Sequence, residues 1–414
     1  MVAAEEFYDA LETRDAETRQ REQFARLKRQ LDHAKAKSRF FAERLKNVEP
    51  ATVDGPEALA RLPVTRKPDL AQAQKSDPPF GGIPTAGLGE ISHVFMSPGP
   101  IFEPGGEDKD YGRFSRALWA AGVRPGELVY NTFSYHLTPA AMLVESGAHA
   151  IGCPVFPGGV GNTELQAQTI ATLKPSVYCG TPSFLKILVE KCDELGLDSS
   201  SLKKGLVGAE ALLPPVREML SRRGIELCNT YGTADLGLIS YESSAHEGMI
   251  IDEGIIVELV EPGGSRPVAE GEIGEVVVTT FNPVYPLIRF GTGDLSAVLA
   301  GASPCGRTNM RIKGWMGRAD MSAKVRGMFV HPSNVADVVR RHPEIAKARL
   351  VIDNQGGRDS MLLKIAVKRR AEGLAGAVAE SIHSVLKLRG EVAIVEAEAL
   401  PDDGKIIDDV RKFD

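Results

Sequence analysis

At 414 residues, with 43% hydrophobic and 25% charged side chains, the chain has globular composition and enough length for two or three domains rather than one core. No apolar run approaches the roughly 18–20 residues that span a bilayer, and the acidic start MVAAEEFYDALETRD has no secretory character, so a cytoplasmic protein without a membrane partner is expected. A net charge of −6 with both signs interspersed argues against a nucleic-acid partner, and five scattered cysteines with no CxxC pair argue against a disulfide framework.

Residues 5 to 46 read as helix, because Phe24, Leu27, Leu31, Ala34 and Phe41 recur at spacings of three, four and seven among Lys, Arg, Glu and Gln. The Pro- and Gly-rich stretches LPVTRKPDL and PPFGGIPTAGLG then predict a surface connection, followed by the short apolar run Ile91 to Met96. Between about 113 and 240, helical pieces such as PAAMLVESGAHAIG alternate with strand-like pieces such as ELVYNTF and CPVFPG. That alternation predicts crossover connections and a mainly parallel sheet, with ligands beyond the carboxyl ends of its strands. Three of those ends carry CGTPS, VGAEA and NTYGTAD. From 255 to 299, IIVELV, GEVVVTTF and LSAVLA between Gly/Pro turns predict a small barrel-like β unit, and about the last ninety residues read as a compact α+β module.

Several residues make chemical sense at these places. A tyrosine beside a glycine at a strand end, Tyr231–Gly232, offers a flat face for a purine and close backbone approach, and Asn229 can both donate to and accept from a base edge. Asp294, after GTG, emerges from a tight turn where it can accept from two neighbouring hydroxyls, which fits a ribose. Lys405, after a glycine near the chain end, can reach a carboxylate and a phosphate. Ahead of them in the chain lies SPGPIFEP, Ser97 to Pro104, whose prolines remove N–H donors and whose Glu103 adds a negative charge.

Taken in order, Gly99 with Pro104, GAEA (208–211), NTYGTAD (229–235), RFGTGD (289–294), GRADMSAKVRGMFVHPSNV (317–335) and Lys405 in LPDDGK resemble the adenylate-forming enzymes. The resemblance is specifically to the phenylacetate-coenzyme A ligase family and runs nearly the whole length. It implies an α/β fold with a large N-terminal adenylate-binding domain, 1–318, and a small mobile α+β C-terminal domain, 319–414. The implied activity is ATP-dependent activation of an aromatic or heteroaromatic carboxylic acid to its acyl-AMP, then transfer to coenzyme A. Two alternatives stand beside it: an acyl-AMP ligase that hands the acyl group to a carrier protein or an amine, and a catalytically silent nucleotide-binding homologue.

By the same resemblance Tyr231 stacks on adenine, Asn229 reads its amino group, and the Gly208, Ala209 and Glu210 backbone lines the other side, with Thr230, Gly232 and Thr233 completing the nucleotide turn. Asp294 takes the ribose, Arg318 contacts ribose or phosphate, and Lys405 is the catalytic charge. Asp235 stands where the family has a glutamate that helps hold magnesium, while Ala234 replaces a hydroxyl. Phe133, Tyr135, His136 and Ala211 fall at the acid pocket, where the family is richer in glycine, so a more polar pocket is expected. Asp320 is the hinge, and Lys324, Arg326 and Gly327 meet coenzyme A. Family phosphate loops look like SSGTTGKP, so Glu103 is expected to face the pyrophosphate. Some relatives hold a structural zinc; here His246 and Cys305 remain beside Ser243 and Ser303, short of the four Cys/His ligands such a site needs, and no zinc is expected.

Overall fold

The computed structural model describes residues 6–97, 101–325, 328–355, 358–369, 371, 373–401 and 403–411. The chain divides into two compact units: Met1–Val260 with Ser265–Thr292 and Ala297–Gly314, and Trp315–Asp414 with Glu261–Gly264 and Gly293–Ser296.

The N-terminal periodicity forms not one helix but two, Ala16–Lys37 and Arg39–Arg44. Ser38 breaks them: its extended backbone ends the first, and its hydroxyl accepts from Phe41 N at 3.2 Å to start the second. Phe24, Leu27, Leu31, Ala34 and Phe41 are all buried as their spacing requires, and Arg19 clamps the first helix to Glu253 at 3.0 Å. The stretch expected as a surface connection is more structured than its prolines suggest. Thr65–Arg66 is a short strand paired in parallel with Phe290 and Gly291, and Lys67–Ser76 is a helix with Leu70 fully buried.

A twelve-stranded sheet organises the larger unit. One half is parallel, in the order Val155–Pro157, Val129–Asn131, Val177–Gly180, Lys204–Val207, Glu226–Thr233. The crossover helices include Ala140–Ile151, Thr163–Leu173, Pro182–Leu195 and Pro214–Ser221, which is the α/β class the alternating pattern predicts. Beyond Glu226–Thr233 the same sheet continues through Gly237–Tyr241, Met249–Ile251 and Arg311–Ile312, and the strands expected to form a small barrel-like unit, Phe290–Leu299, Ile273–Thr280 and Ile255–Val260, follow in order. The smaller unit holds a mixed four-stranded sheet, Glu391–Ile394, Arg358–Val367, Ile345–Gln355, Ile407–Asp409, with helices Pro332–Arg340 and Leu374–Leu386. Val338, Ile352, Ile365 and Val378 belong to its own core.

Inside the antiparallel half lies Arg289, fully buried, with all five guanidinium donors engaged. Two go to Glu258 at 2.9 and 3.0 Å, and the others reach the carbonyls of Ala60, Leu62 and Ser265. The fork therefore joins an N-terminal loop to the strand that runs on to Thr292. Breaking a buried pair from one side leaves the other charge without compensation. Arg289→Met is expected to lose about 3–5 kcal/mol of unfolding free energy in urea titration, with partial recovery in the Arg289→Met/Glu258→Leu double variant. A loss below about 1 kcal/mol, the scale of a surface pair, would show that the fork is not structural.

Candidate active site

Two adjacent strand ends build the first part of the site. Val207 pairs with Asn229 in parallel register, so Gly208, Ala209 and Glu210 leave one strand beside Asn229 and Thr230 on the next. Thr230 Oγ1 donates to Val207 O at 3.2 Å, and a Cβ at position 208 would stand 2.6 Å from that same hydroxyl, so glycine is required there. Ala209 adopts φ +65°, uncommon for a residue with a Cβ and found where the surroundings hold it. Glu210 turns its carboxylate to Ser183 N, 2.6 Å away in the first turn of Pro182–Leu195, where a negative charge is favoured.

The second strand bulges between Tyr231 and Gly232. A Cβ on Gly232 would lie 2.5 Å from Gly237 O, so the two backbones approach only because this residue is glycine. Thr233 Oγ1 then accepts from Leu236 N at 3.2 Å and closes the turn. The expected nucleotide residues of the larger unit are thus gathered at one sheet edge. Tyr231, however, is not an open ring face: it is 8% exposed, in the core group that includes Leu236 and Ile239, with its hydroxyl 3.3 Å from Thr292 Oγ1.

A pocket of about 170 Å3 opens directly against this edge. Gly208, Ala209 and Thr230 line one part, and Phe133, Pro139 and Leu143 another. Of the residues expected to shape the acid site, Phe133 is in its wall. Tyr135 is not; its hydroxyl donates to Glu145 Oε2 at 2.6 Å and accepts from Asn131 Nδ2 at 3.0 Å. His136 and Ala211 are exposed and outside the lining. The expected polar pocket is therefore corrected to a predominantly apolar one, because the helix Ala140–Ile151 turns its apolar side chains toward it.

SPGPIFEP is also corrected. Ser97 ends the strand His93–Ser97 and Ile101–Gly105 returns antiparallel to it, with Phe95 opposite Glu103; Gly99 lies outside the described residues. Glu103 faces inward and is 3% exposed, so it is not a surface charge. Ser97 Oγ donates to its Oε1 at 2.6 Å. Its Oε2 and Asp235 Oδ1 are both buried with no protein donor among the described residues, and one proton held between the two carboxyls satisfies both. Burial and the charge of Asp235 push the Glu103 carboxyl up to about 8. Lys67 completes the cluster, its Nζ 3.1 Å from Ser97 Oγ and 3.1 Å from Asp235 Oδ2.

That arrangement does not fit magnesium at Asp235. One carboxylate oxygen already faces an ammonium and the other a carboxyl group, in a space of about 20 Å3, whereas magnesium keeps several waters and demands octahedral geometry. Lys67 itself was absent from the sequence-derived site. Only its place in TRKPDL, at the N-terminus of a helix, marked it, and nothing local shows that this helix end meets a turn 168 residues further on.

In the smaller unit, Asp294 and Arg318 come together. Arg318 Nη1 lies 3.2 Å from Asp294 Oδ1, and a Cβ on Gly293 would stand 2.6 Å from Arg318 Nη2. Trp315, a second residue missing from the sequence reading, donates its indole N–H to the same oxygen at 3.1 Å while its side chain stays exposed. Lys405 lies between Gly404 and the strand Ile407–Asp409; its amide donates to Asp403 Oδ1 at 3.0 Å and its side chain is 57% exposed. Asp320 falls in the short 3-10 turn Ala319–Met321 and Lys324 in the strand Ala323–Val325, whereas Arg326 and Gly327 lie outside the described residues.

The residues weighed for zinc point elsewhere. His246 Nδ1 is 2.9 Å from Arg217 Nη1, and Cys305 Sγ is 3.1 Å from Ser303 Oγ. Among the described residues no three His, Cys, Asp or Glu form a metal-holding group, and no helix is long and apolar enough to cross a membrane.

Comparison with known proteins places this geometry. The model of the AMP-binding enzyme family matches residues 130–282. Phenylacetate-coenzyme A ligase of Thermus thermophilus is 31% identical over 409 residues, covering 92% of this chain and 90% of the relative. The enzyme of the same name from Escherichia coli is 28% identical over 420 residues, covering 95% and 94%. A crystal structure of a 2-hydroxyisobutyryl-CoA ligase, in an open conformation with 2-HIB-AMP and CoA, superposes with a TM-score of 0.86 over 96% of this chain and 93% of its own at 24% identity, a likeness of fold.

The buried carboxyl pair gives a pH signature. Glu103 ionises near 4.5 when unfolded and near 8 when folded, so the stability its protonated form confers is complete below about pH 4.5 and is lost as pH rises through about 8. Glu103→Gln, which keeps the shape and cannot ionise, is expected to flatten the fall of unfolding free energy across that interval in urea titrations at successive pH values. Parallel curves for the two proteins would mean that Glu103 is already charged in the fold.

Proposed function

The chain belongs to the phenylacetate-coenzyme A ligase family, and from that premise we propose that it uses ATP to convert a small carboxylic acid, aromatic or heteroaromatic, to its acyl-AMP and then passes the acyl group to coenzyme A. The observation that carries this reading is the continuity of the apolar pocket with the strand-end turn: Gly208, Ala209 and Thr230 line the same space as Phe133 and Leu143. An acid held there presents its carboxylate to a nucleotide at that turn.

Attack of a carboxylate oxygen on the α-phosphorus, with pyrophosphate leaving, makes no covalent demand on the protein, so catalysis is positioning and charge stabilisation. In this reading Lys405 supplies positive charge at the reacting phosphate, and Asp294 and Arg318 hold ribose and phosphate. Asn229 and the Gly208–Glu210 backbone hold the base. Lys67 supplies the ammonium that SPGPIFEP lacks, which its half-exposed position beside Ser97 supports. Magnesium has no role at Asp235. The thiol of coenzyme A then attacks the acyl carbonyl and AMP leaves. The domain boundary near 318, the hinge at Asp320 and a coenzyme face at Lys324, Arg326 and Gly327 belong to the same proposal.

Acid-dependent exchange of labelled pyrophosphate into ATP, across benzoic, phenylacetic, hydroxyaryl and quinoline-type acids and followed by addition of coenzyme A, tests the reading. Exchange with thioester formation is expected. Exchange without thioester would instead favour a carrier protein or an amine as acceptor, and ATP binding without exchange a silent homologue. Lys405→Ala should lose adenylation roughly 100- to 1,000-fold at unchanged folding, since it removes one preorganised charge from an exposed turn. Asp320→Pro, which fixes φ in the 3-10 turn, should keep exchange and lose thioester formation. Equal loss of both half-reactions in a folded variant would remove the two-position mechanism.

A further inference from the structure

Leu143 stands in the walls of three separate spaces. It lines the 170 Å3 pocket at the strand-end turn, the 20 Å3 space beside Glu103 and Asp235, and a further cavity of about 330 Å3 that Ser92, His93, Glu107, Asp108 and Ser146 also line. The residue is 5% exposed, on the helix Ala140–Ile151. We infer that Leu143 is the partition that limits the length of the acid, and that the enzyme is built for compact acyl groups that end at this side chain. The inference rests on reading the 170 Å3 pocket as the acid site.

Geometry keeps the partition in place. Leu143 N donates to Pro139 O at 2.9 Å and Ser146 Oγ donates to Leu143 O at 2.8 Å, so its backbone is held on both sides. A Cβ built on Gly112 would be 2.7 Å from Leu143 Cβ and 3.1 Å from its Cα, which shows how closely the facing chain abuts the helix here. A long acid therefore cannot displace the helix turn; it has to displace the isobutyl group, and close-packed interiors resist such changes. The 170 Å3 pocket lies below the roughly 300–1,000 Å3 usual for ligand sites, whereas the second cavity lies within that range. Removing the partition would join them. Glu107 and Asp108 in the far lining favour an extended acid whose distal end is neutral or cationic over one carrying a second carboxylate.

The test measures acid-dependent pyrophosphate release by the full-length enzyme with ATP, using straight-chain acids from propanoic to octanoic together with benzoic, phenylacetic and 4-phenylbutanoic acids. Wild type is expected to show a sharp fall in kcat/KM beyond a certain length. Leu143→Ala should move that fall to longer acids, raising kcat/KM for the longest acids relative to the shortest roughly tenfold or more, with KM for ATP unchanged. Adding Ser146→Trp to Leu143→Ala refills the second cavity and should reverse the gain. Leu143→Phe should shift the preference toward shorter acids, which keeps the test decisive where the alanine variant folds poorly. An unchanged rank order of acids in the Leu143 variants, at unchanged KM for ATP, overturns the partition while leaving the acid-activating reading intact. Turnover of no acid by wild type overturns that reading, and the partition with it.

Discussion

The ammonium of Lys67 lies 3.1 Å from Ser97 Oγ and 3.1 Å from Asp235 Oδ2, and through those two contacts it joins a helix start, a hairpin strand and the turn after the bulged strand. Around it are two carboxyls with almost no access to water, Glu103 and Asp235. Two buried negative charges in one cluster repel, and one cation offsets only one of them; burial and the charge of Asp235 therefore keep the proton on Glu103. This requirement explains why Glu103 faces inward rather than toward a pyrophosphate as expected. A charged carboxylate would stay in water; a protonated one, accepting from Ser97, can turn inward and let its strand stand beside the turn at 234–237.

The turn itself is shaped by close backbone approaches rather than by polar side chains. The bulge at Tyr231 and Gly232 ends regular pairing, and Gly208 and Gly232 clear the space that a Cβ would fill. The pocket walls follow from the same geometry. Phe133, Pro139 and Leu143 come from the segment after the strand Val129–Asn131 and the helix that crosses back over the sheet, so both halves of the site stand at the carboxyl ends of parallel strands. Beside that edge, Ser97 at the end of its strand presents a hydroxyl to the ammonium of Lys67, which comes from another element.

Much of this was legible in the sequence, for identifiable reasons. Alternating helix and strand patterns between 113 and 240 reflect burial on both faces of a parallel sheet, and that burial is written into each segment locally. The glycines of VGAEA and NTYGTAD, and the aspartate after GTG with the arginine of GRAD, are short-range signals whose spacing survives folding, and the structure pairs Asp294 with Arg318. Less legible were the joins. IIVELV, GEVVVTTF and LSAVLA alternate as a small β unit would, and nothing in their own composition tells that their strands add to the large sheet.

By itself, then, the sequence determined the layer architecture, the positions of the strand-end turns and the order of the family motifs, because periodicity, glycine and proline act within a few residues. Tertiary structure alone decided the orientation of each side chain at the site. Tyr135 and His136 stand between residues that line the pocket, yet the turn directs Tyr135 to Glu145 and leaves His136 exposed, while Leu143, an ordinary core residue by pattern, becomes a wall of the pocket. Lys67 and Asp235, or Arg289 and Glu258, are ion pairs between segments whose separation in sequence carries no local mark. Such pairs form only after the sheet has brought the segments together, and their burial is a property no residue has until the chain has folded.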